Sequence, residues 1–187
     1  MVNERTSYIT KPEKVARSSD VFDKLLISNI IGGTPMVVAK KASLLKVGAF
    51  NETFPALQDY ELWLRMAKAH MQFSFIDAAL TQCYYHTGRR SISKSLRAHE
   101  LALSLIDEIY KEQYKSMSPA KYRQCQYIRR KVFSHKLLLT GQLSQARAVQ
   151  LQGFVSTGDP RYLGNIVGTL FGVRFAFRAR ALITKFR

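Results

Sequence analysis

The sequence of 187 residues has little cysteine: only two of its residues, Cys83 and Cys125, are cysteines. They stand far apart, so a structural zinc site, which needs about four ligands in tight pairs, is excluded. A disulfide between them stays open, although two free and largely buried thiols are favoured. No apolar run reaches the ~18–20 residues that span a membrane, and no basic-then-apolar leader opens the chain. We therefore expect a cytoplasmic globular protein.

The charge of the chain is unevenly distributed. The net charge is +16, yet residues 1–88 carry 10 Lys and Arg against 8 Asp and Glu, whereas residues 89–187 carry 19 against 5. A basic surface attracts nucleic acid, anionic lipid headgroups or phosphorylated carriers, and charge alone does not choose among them.

The apolar pattern changes along the chain. Up to about residue 97 it predicts short helices at 21–31 and 43–47, the latter stopped by Gly48, a longer helix from Asp59 to about residue 69, and strands at 36–39, 73–76 and 80–85. Beyond that point it predicts only helices, near 95–115, 118–140, 143–152 and 159–186, with Gly141 and Gly153 as stops. The pattern therefore divides the chain into residues 1–97 and a basic all-helical extension at 98–187.

Asp59 is the most informative single position because it stands where a loop meets a helix. One interpretation is structural, since aspartate is a favoured N-cap that accepts hydrogen bonds from free backbone amides. The other is chemical, since a carboxylate held at such a junction can take a proton from a substrate hydroxyl. The two roles are compatible.

The segment around Asp59 resembles the acceptor-side half of family-2 glycosyltransferases of the A-type fold. The resemblance rests on Val47-Gly48-Ala49-Phe50-Asn51-Glu52, on Gln58-Asp59-Tyr60-Glu61-Leu62-Trp63-Leu64-Arg65, and on the later Cys83-Tyr84-Tyr85-His86. It covers residues 21–97 and implies an α/β fold, here an α+β fragment. Asn51 and Gln58 replace acids of the family pattern.

The resemblance implies specific roles for the residues at these positions. Asp59 becomes the general base of an inverting transfer that depends on a sugar nucleotide, with a glycan or lipid-linked acceptor. Gln58, Trp63, Arg65 and Arg89 become substrate-binding residues. His86 becomes a ligand of the divalent metal, Mg or Mn, that the complete enzyme is expected to use.

The nucleotide-binding half of such an enzyme has no counterpart in this sequence. No Asp-x-Asp element occurs, and Gly32-Gly33 precedes its predicted strand instead of following one. The sequence therefore predicts a truncated chain that does not bind a donor efficiently alone.

The carboxyl-terminal segment suggests a second partner. On a helical wheel, Ile166, Leu170, Val173 and Phe177 form one apolar stripe and Phe171, Phe175 and Leu182 another, with basic residues between them. This pattern is typical of a helix buried on two sides or of one lying at a membrane surface, here the inner face of the membrane.

Three functions remain open on the sequence. The first is a glycosyltransferase of envelope or polysaccharide synthesis, and the second is a non-enzymatic basic adaptor for an anionic membrane or a partner glycosyltransferase half. Nucleic-acid binding ranks last, because Tyr122, Tyr127 and Phe133 lie among basic residues but no recognition motif accompanies them.

Overall fold

The computed structural model describes residues 18–76, 78, 80–81, 95–139 and 141–170. Within them the chain forms eight α-helices and one 3₁₀ turn: α1 (Ser18–Ile27), the turn Thr34–Met36, α2 (Lys41–Lys46), α3 (Gln58–Lys68), α4 (Leu96–Ile109), α5 (Lys111–Lys115), α6 (Pro119–Leu139), α7 (Leu143–Thr157) and α8 (Arg161–Leu170). They form two compact units that divide between Met117 and Ser118. Helices α4 and α5 thus belong to the first unit together with α1 to α3. The boundary between the units therefore lies after the change in composition near residue 97.

The expected α/β fold is wrong for this structure, because its described part is helical and contains no strand. The predicted strand at 36–39 begins in the 3₁₀ turn. Val37 then has extended dihedral angles, with φ −122° and ψ 133°, but the segment pairs with no strand and Val38 is fully exposed. Residues 73–76, 80 and 81 also form no strand, and residues 82–85 lie outside the described part. β-Branched residues favour the dihedral angles of a strand, but only pairing with a neighbour makes a sheet.

Helix α3 forms the centre of the first unit. Most of its circumference is buried, including Leu62, Trp63 and Leu64, each 2 % exposed or less. It packs against α1, whose Leu25 and Leu26 are also buried. A helix that is buried on most sides belongs to the middle of a core.

Two buried tyrosines satisfy the carboxyl-terminal end of α1. The Tyr60 hydroxyl donates to the carbonyl of Leu25, and the Tyr114 hydroxyl donates to the carbonyl of Leu26 at 3.1 Å. These carbonyls belong to the last turn, where a helix has no intrahelical donors left. The tyrosines, from α3 and α5, therefore replace water at a buried helix end.

The junction between α4 and α5 lies against the same core. Helix α4 begins at Ser95, whose hydroxyl accepts a hydrogen bond from the Ala98 amide at 3.2 Å. Tyr110 ends this helix, and its ring meets that of Phe22 edge-on at 5.7 Å. Burial raises the pKa of the Tyr110 hydroxyl above its ordinary value, and the Glu61 carboxylate adds to the effect. Tyr110 therefore packs as a neutral side chain.

The second unit consists of α6, α7 and α8. Gly141, with φ +78°, separates α6 from α7 as predicted. Gly153 does not stop α7: it lies inside the helix, where an added Cβ would meet the Tyr162 ring at 2.4 Å, and α7 ends instead at Gly158. The prediction for Gly153 is wrong because this glycine provides space for a ring.

The start of α8 is fixed by Asp159. Its carboxylate accepts a hydrogen bond from the Arg161 amide at 2.9 Å and pairs with the Arg161 guanidinium at 2.5 Å. The side-chain hydrogen bond from Arg161 holds the pKa of the Asp159 carboxyl below its ordinary value.

In the part of the chain that the structure describes, no helix combines the length and apolarity needed to cross a membrane.

Replacing Tyr114 by phenylalanine tests the role of its hydroxyl. Tyr114→Phe leaves the buried Leu26 carbonyl without this donor, which costs about 1–3 kcal/mol. We expect a corresponding loss in the free energy of unfolding of the first unit, measured by urea denaturation.

Tyr122→Phe is the matched control, because Tyr122 is exposed and its hydroxyl accepts a hydrogen bond from a side-chain amide, that of Gln126 at 3.1 Å, instead of satisfying a buried carbonyl. Its effect should stay within about 0.5 kcal/mol. Equal effects of the two substitutions would contradict the assigned role of Tyr114.

Candidate functional site

The site begins at the amino-terminal end of α3. Leu57 precedes the helix in a left-handed conformation, with φ +59°, although it is not glycine. The Gln58 side-chain amide donates to the Phe54 carbonyl at 3.0 Å and ties the incoming loop to the first turn. Such backbone conformations cost about 1–3 kcal/mol and are enriched at functional sites.

Asp59 lies inside the first turn of α3, not at the N-cap. Its Oδ1 accepts a hydrogen bond from the Tyr60 amide at 2.8 Å. The side chain is only partly buried, and no group in the described residues donates to Oδ2. Asp59 therefore combines a capping contact through one oxygen with an acceptor position on the other.

The second oxygen of Asp59 faces the loop that follows α1. A Cβ placed on Gly33 would lie 3.5 Å from Asp59 Oδ2. Four residues after Asp59 on the same face of α3, the indole N–H of Trp63 donates to the Gly32 carbonyl at 3.0 Å. Because residues i and i+4 are neighbours on a helix, successive loop residues meet successive turns of α3.

The loop is also held from within by Asn29. Its Oδ1 accepts hydrogen bonds from the amides of Ile31 and Gly32, at 3.2 and 2.9 Å. Its Nδ2 donates to the Gly32 carbonyl at 3.1 Å, so that this carbonyl has two donors. Because Asn29 and Trp63 both hold the Gly32 carbonyl, the adjacent Gly33 is fixed in its position beside Asp59.

Arg65 faces another part of the structure. Its guanidinium makes a bidentate pair with Glu61, at 2.6 and 2.7 Å, and Glu61 is 2 % exposed. It also donates to the carbonyls of Val47 and Ala49, the latter at 2.6 Å. A cation is favourable at the carboxyl-terminal end of a helix, here α2. Arg65 therefore ties α2 to α3.

The residues predicted for the site separate into three groups. Gln58, Asp59 and Trp63 lie together along the first turns of α3, while Arg65 faces the end of α2. His86 and Arg89 lie outside the described residues. Within the described ranges, no group of three or more His, Cys, Asp or Glu side chains is arranged to hold a metal ion.

The roles of Asn29, Gly33 and Glu61 were not predicted from the sequence. The spacing of Glu61 and Arg65 by four residues is a recognisable helical ion-pair pattern. An asparagine side chain commonly bonds the backbone amide two residues on, and Asn29 stands shortly before Gly32-Gly33, which marks a turn. No local pattern places Gly33 beside Asp59, since that contact joins residues far apart in sequence.

Breaking the Glu61–Arg65 pair should strongly destabilise the first unit. Arg65→Met leaves the Glu61 carboxylate buried without its cation, and such a loss costs about 3–5 kcal/mol. We expect a large decrease in the urea midpoint of unfolding, and partial recovery when Glu61→Leu is added, because the buried charge is then removed as well.

Lys111→Met is the control, since Lys111 pairs with Glu108 on an exposed surface at 3.3 Å. Exposed pairs contribute at most about 1 kcal/mol. A change at Arg65 no larger than the change at Lys111 would show that the buried pair does not hold α2 and α3 together.

Comparison with known proteins gives one informative similarity. The chain is 33% identical over 111 residues to a Haemophilus influenzae protein named "Uncharacterized glycosyltransferase". The match covers 59% of this chain and 37% of the relative, so it spans little more than a third of the relative's length. No family model and no solved structure matches the chain. By this resemblance the chain is similar to a glycosyltransferase.

Proposed function

We propose that the chain is part of a family-2 glycosyltransferase in which Asp59 is the general base. The observation that carries the proposal is Asp59 Oδ2, which accepts from no described group, belongs to a partly buried residue at a helix start and is bordered by Gly33. The similarity to a named glycosyltransferase supports transfer of a sugar as the reaction class.

The proposed reaction is a single displacement with inversion at the anomeric carbon. The acceptor hydroxyl donates its hydrogen bond to Asp59 Oδ2 and attacks the donor sugar. As the new carbon–oxygen bond forms, the bond to the nucleoside diphosphate breaks and its electron pair leaves with the phosphate. The hydroxyl proton passes to the carboxylate, and general-base assistance of this kind contributes roughly 10²–10⁴-fold in rate.

The proposed substrates are a sugar nucleotide and a glycan or lipid-linked acceptor of envelope polysaccharide synthesis. Gln58, in the same turn as Asp59, and Arg89 are proposed to contact them. Trp63 is 2 % exposed and its indole N–H is bound to the Gly32 carbonyl, which supports a positioning role instead of direct contact. Arg65 likewise acts through its contacts with Glu61 and α2.

A divalent metal, Mg or Mn, remains a proposal for the complete enzyme, with His86 as a ligand. The described residues offer no cluster that fits such an ion, so none of the steps above passes through a metal. Asp59 needs none to accept a proton.

Asp59→Asn tests the general base. The amide oxygen of asparagine still accepts the Tyr60 amide, so the fold is retained, but the side chain no longer takes up a proton at neutral pH. In the complete enzyme that carries this chain, nucleoside diphosphate release from a panel of UDP- and GDP-sugars with Mn²⁺ should fall by at least about 100-fold.

Glu52→Gln is the control, because Glu52 is an exposed carboxylate in the loop before α3. It should keep the wild-type rate, and both variants should keep the wild-type melting temperature. Retained transfer by Asp59→Asn, or turnover of none of the sugar nucleotides by the wild type, would contradict the proposed function.

We also propose that the second unit contacts an anionic membrane surface, which is the feature shared with the adaptor alternative. Its described residues contain a single acid, Asp159, against eight basic residues. These are Lys121, Arg123, Arg129, Arg130, Lys131, Lys136, Arg147 and Arg161. Each basic residue near an anionic surface contributes about 1 kcal/mol, and salt screens this attraction.

Vesicle sedimentation tests this surface. Binding to vesicles with phosphatidylglycerol should exceed binding to pure phosphatidylcholine vesicles and should decrease as salt rises from 50 to 500 mM, roughly a threefold decrease in the Debye length. Binding that is the same for both lipid compositions would remove the proposal, as would preference for random-sequence DNA over the anionic vesicles.

A further inference from the structure

Gly33 has no conformational need to be glycine. Its φ of −80° and ψ of 164° are ordinary extended values that any L-residue adopts. The neighbouring Gly32 differs, since its φ is +101° and an added Cβ would lie 2.6 Å from Met36 Sδ. Gly32 is thus required by the turn, whereas the backbone does not explain Gly33.

Packing does not explain Gly33 either. Among the described residues that are not its chain neighbours, an added Cβ would have two neighbours within 4 Å, Asp59 Oδ2 at 3.5 Å and Pro35 Cδ at 3.6 Å. Both distances are ordinary van der Waals contacts, so the folded chain has room for a methyl group. Close approach of a ligand to the backbone is a further reason for glycine, and it needs the space that a Cβ would fill.

We propose that the bare Cα of Gly33 forms one wall of a subsite that admits an alcohol group of a sugar to Asp59 Oδ2. This inference rests on the proposed function, because it assigns the acceptor hydroxyl to that oxygen. It adds Gly33 as a residue that determines which groups reach Asp59. The acceptor hydroxyl approaches the carboxylate through the space that a Cβ on residue 33 would fill.

The contacts around the subsite support this assignment. Asp59 Oδ1 is occupied by the Tyr60 amide at 2.8 Å, which leaves Oδ2 as the acceptor for a ligand. The preceding carbonyl, of Gly32, is held by Asn29 at 3.1 Å and by Trp63 at 3.0 Å. Because these hydrogen bonds hold Gly32, the adjacent Gly33 is also held in place. The backbone therefore does not shift easily when a side chain is added at residue 33.

The chemistry of the subsite selects its ligand. An ionised carboxylate oxygen accepts hydrogen bonds and donates none. A hydroxyl donor approaches such an oxygen to about 2.5–2.7 Å, which is shorter than the distance to the position of a Gly33 Cβ. An alcohol on the ring of a hexose meets this requirement, and the proposed function favours it over other hydrogen-bond donors.

Gly33→Ala tests the wall with the smallest possible change. The probes are the methyl β-glycosides of glucose, galactose and N-acetylglucosamine, titrated into the 187-residue chain and followed by NMR chemical shifts. We expect at least one to bind the wild type and its Kd to rise at least tenfold in Gly33→Ala, or about 1.4 kcal/mol. The melting temperature should not fall, because alanine fits the backbone at this position.

A second variant tests whether binding is lost because the space beside Gly33 is filled or because Asp59 Oδ2 already accepts a hydrogen bond. The hydroxyl of Gly33→Ser can itself donate to Asp59 Oδ2, so it imitates the proposed ligand. We expect Gly33→Ser to weaken glycoside binding more than Gly33→Ala. Gly164→Ala is the matched control, since no described atom outside its own helix lies within 4 Å of its added Cβ, and it should leave the Kd unchanged.

The outcomes distinguish this inference from the proposed function. Unchanged Kd in both Gly33 variants, or no glycoside binding by the wild type, overturns the subsite even if Asp59→Asn abolishes transfer in the complete enzyme. A lower melting temperature that accounts for the loss of binding overturns it as well, because it would make Gly33 a packing residue. Retained transfer by Asp59→Asn overturns the proposed function itself.

Discussion

The hydrogen bond from the Trp63 indole to the Gly32 carbonyl is the contact on which the candidate site depends. It fixes the loop after α1 against α3 at 3.0 Å, one helical turn from Asp59. The same helix sends Tyr60 to a carbonyl at the end of α1 and Arg65 to carbonyls at the end of α2. In each case a side-chain donor of α3 meets a backbone carbonyl of another segment. Helix α3 thereby positions three segments without any strand pairing among the described residues.

These contacts also explain which predicted roles fit the geometry. Trp63 and Arg65 are prominent in the sequence because they are large and polar at one end, which suits substrate binding as well as structural anchoring. In the structure their polar ends meet carbonyls and a buried carboxylate. Gln58 and Asp59, at the start of the same helix, are only partly buried. The helix therefore begins with two partly exposed residues suited to chemistry and continues with side chains that hold the fold.

The sequence predicts helices well here because their signals are local. The α3 segment has buried residues at helical spacing, and Gly48 and Gly141 both adopt the positive φ expected of glycines that follow helices. The predicted strands fail because a strand depends on a partner from elsewhere in the chain. Residues 36–39 have the composition of a strand, yet the described residues contain no strand beside them and Val38 is exposed.

The candidate site is predictable only in part for a related reason. Asp59 is identifiable from its position before Trp63 and Arg65 in a recognisable pattern. The proximity of Gly33 depends on tertiary contacts between α3 and a loop about 26 residues earlier, and the left-handed Leu57 follows no residue preference. Nothing in the local sequence around either residue encodes these features.

The contact between Gly153 and Tyr162 has a consequence for the alignment of α7 with α8. The ring fits against α7 only where a side chain is missing, because even a Cβ at Gly153 would come within 2.4 Å of it. Sliding one helix along the other by a single turn, about 5.4 Å, would set Val149 or Thr157 against the ring, and neither leaves room. The pairing of a small residue, Gly153, with a large one, Tyr162, thus selects one register of α7 against α8 from the several that apolar burial alone would permit.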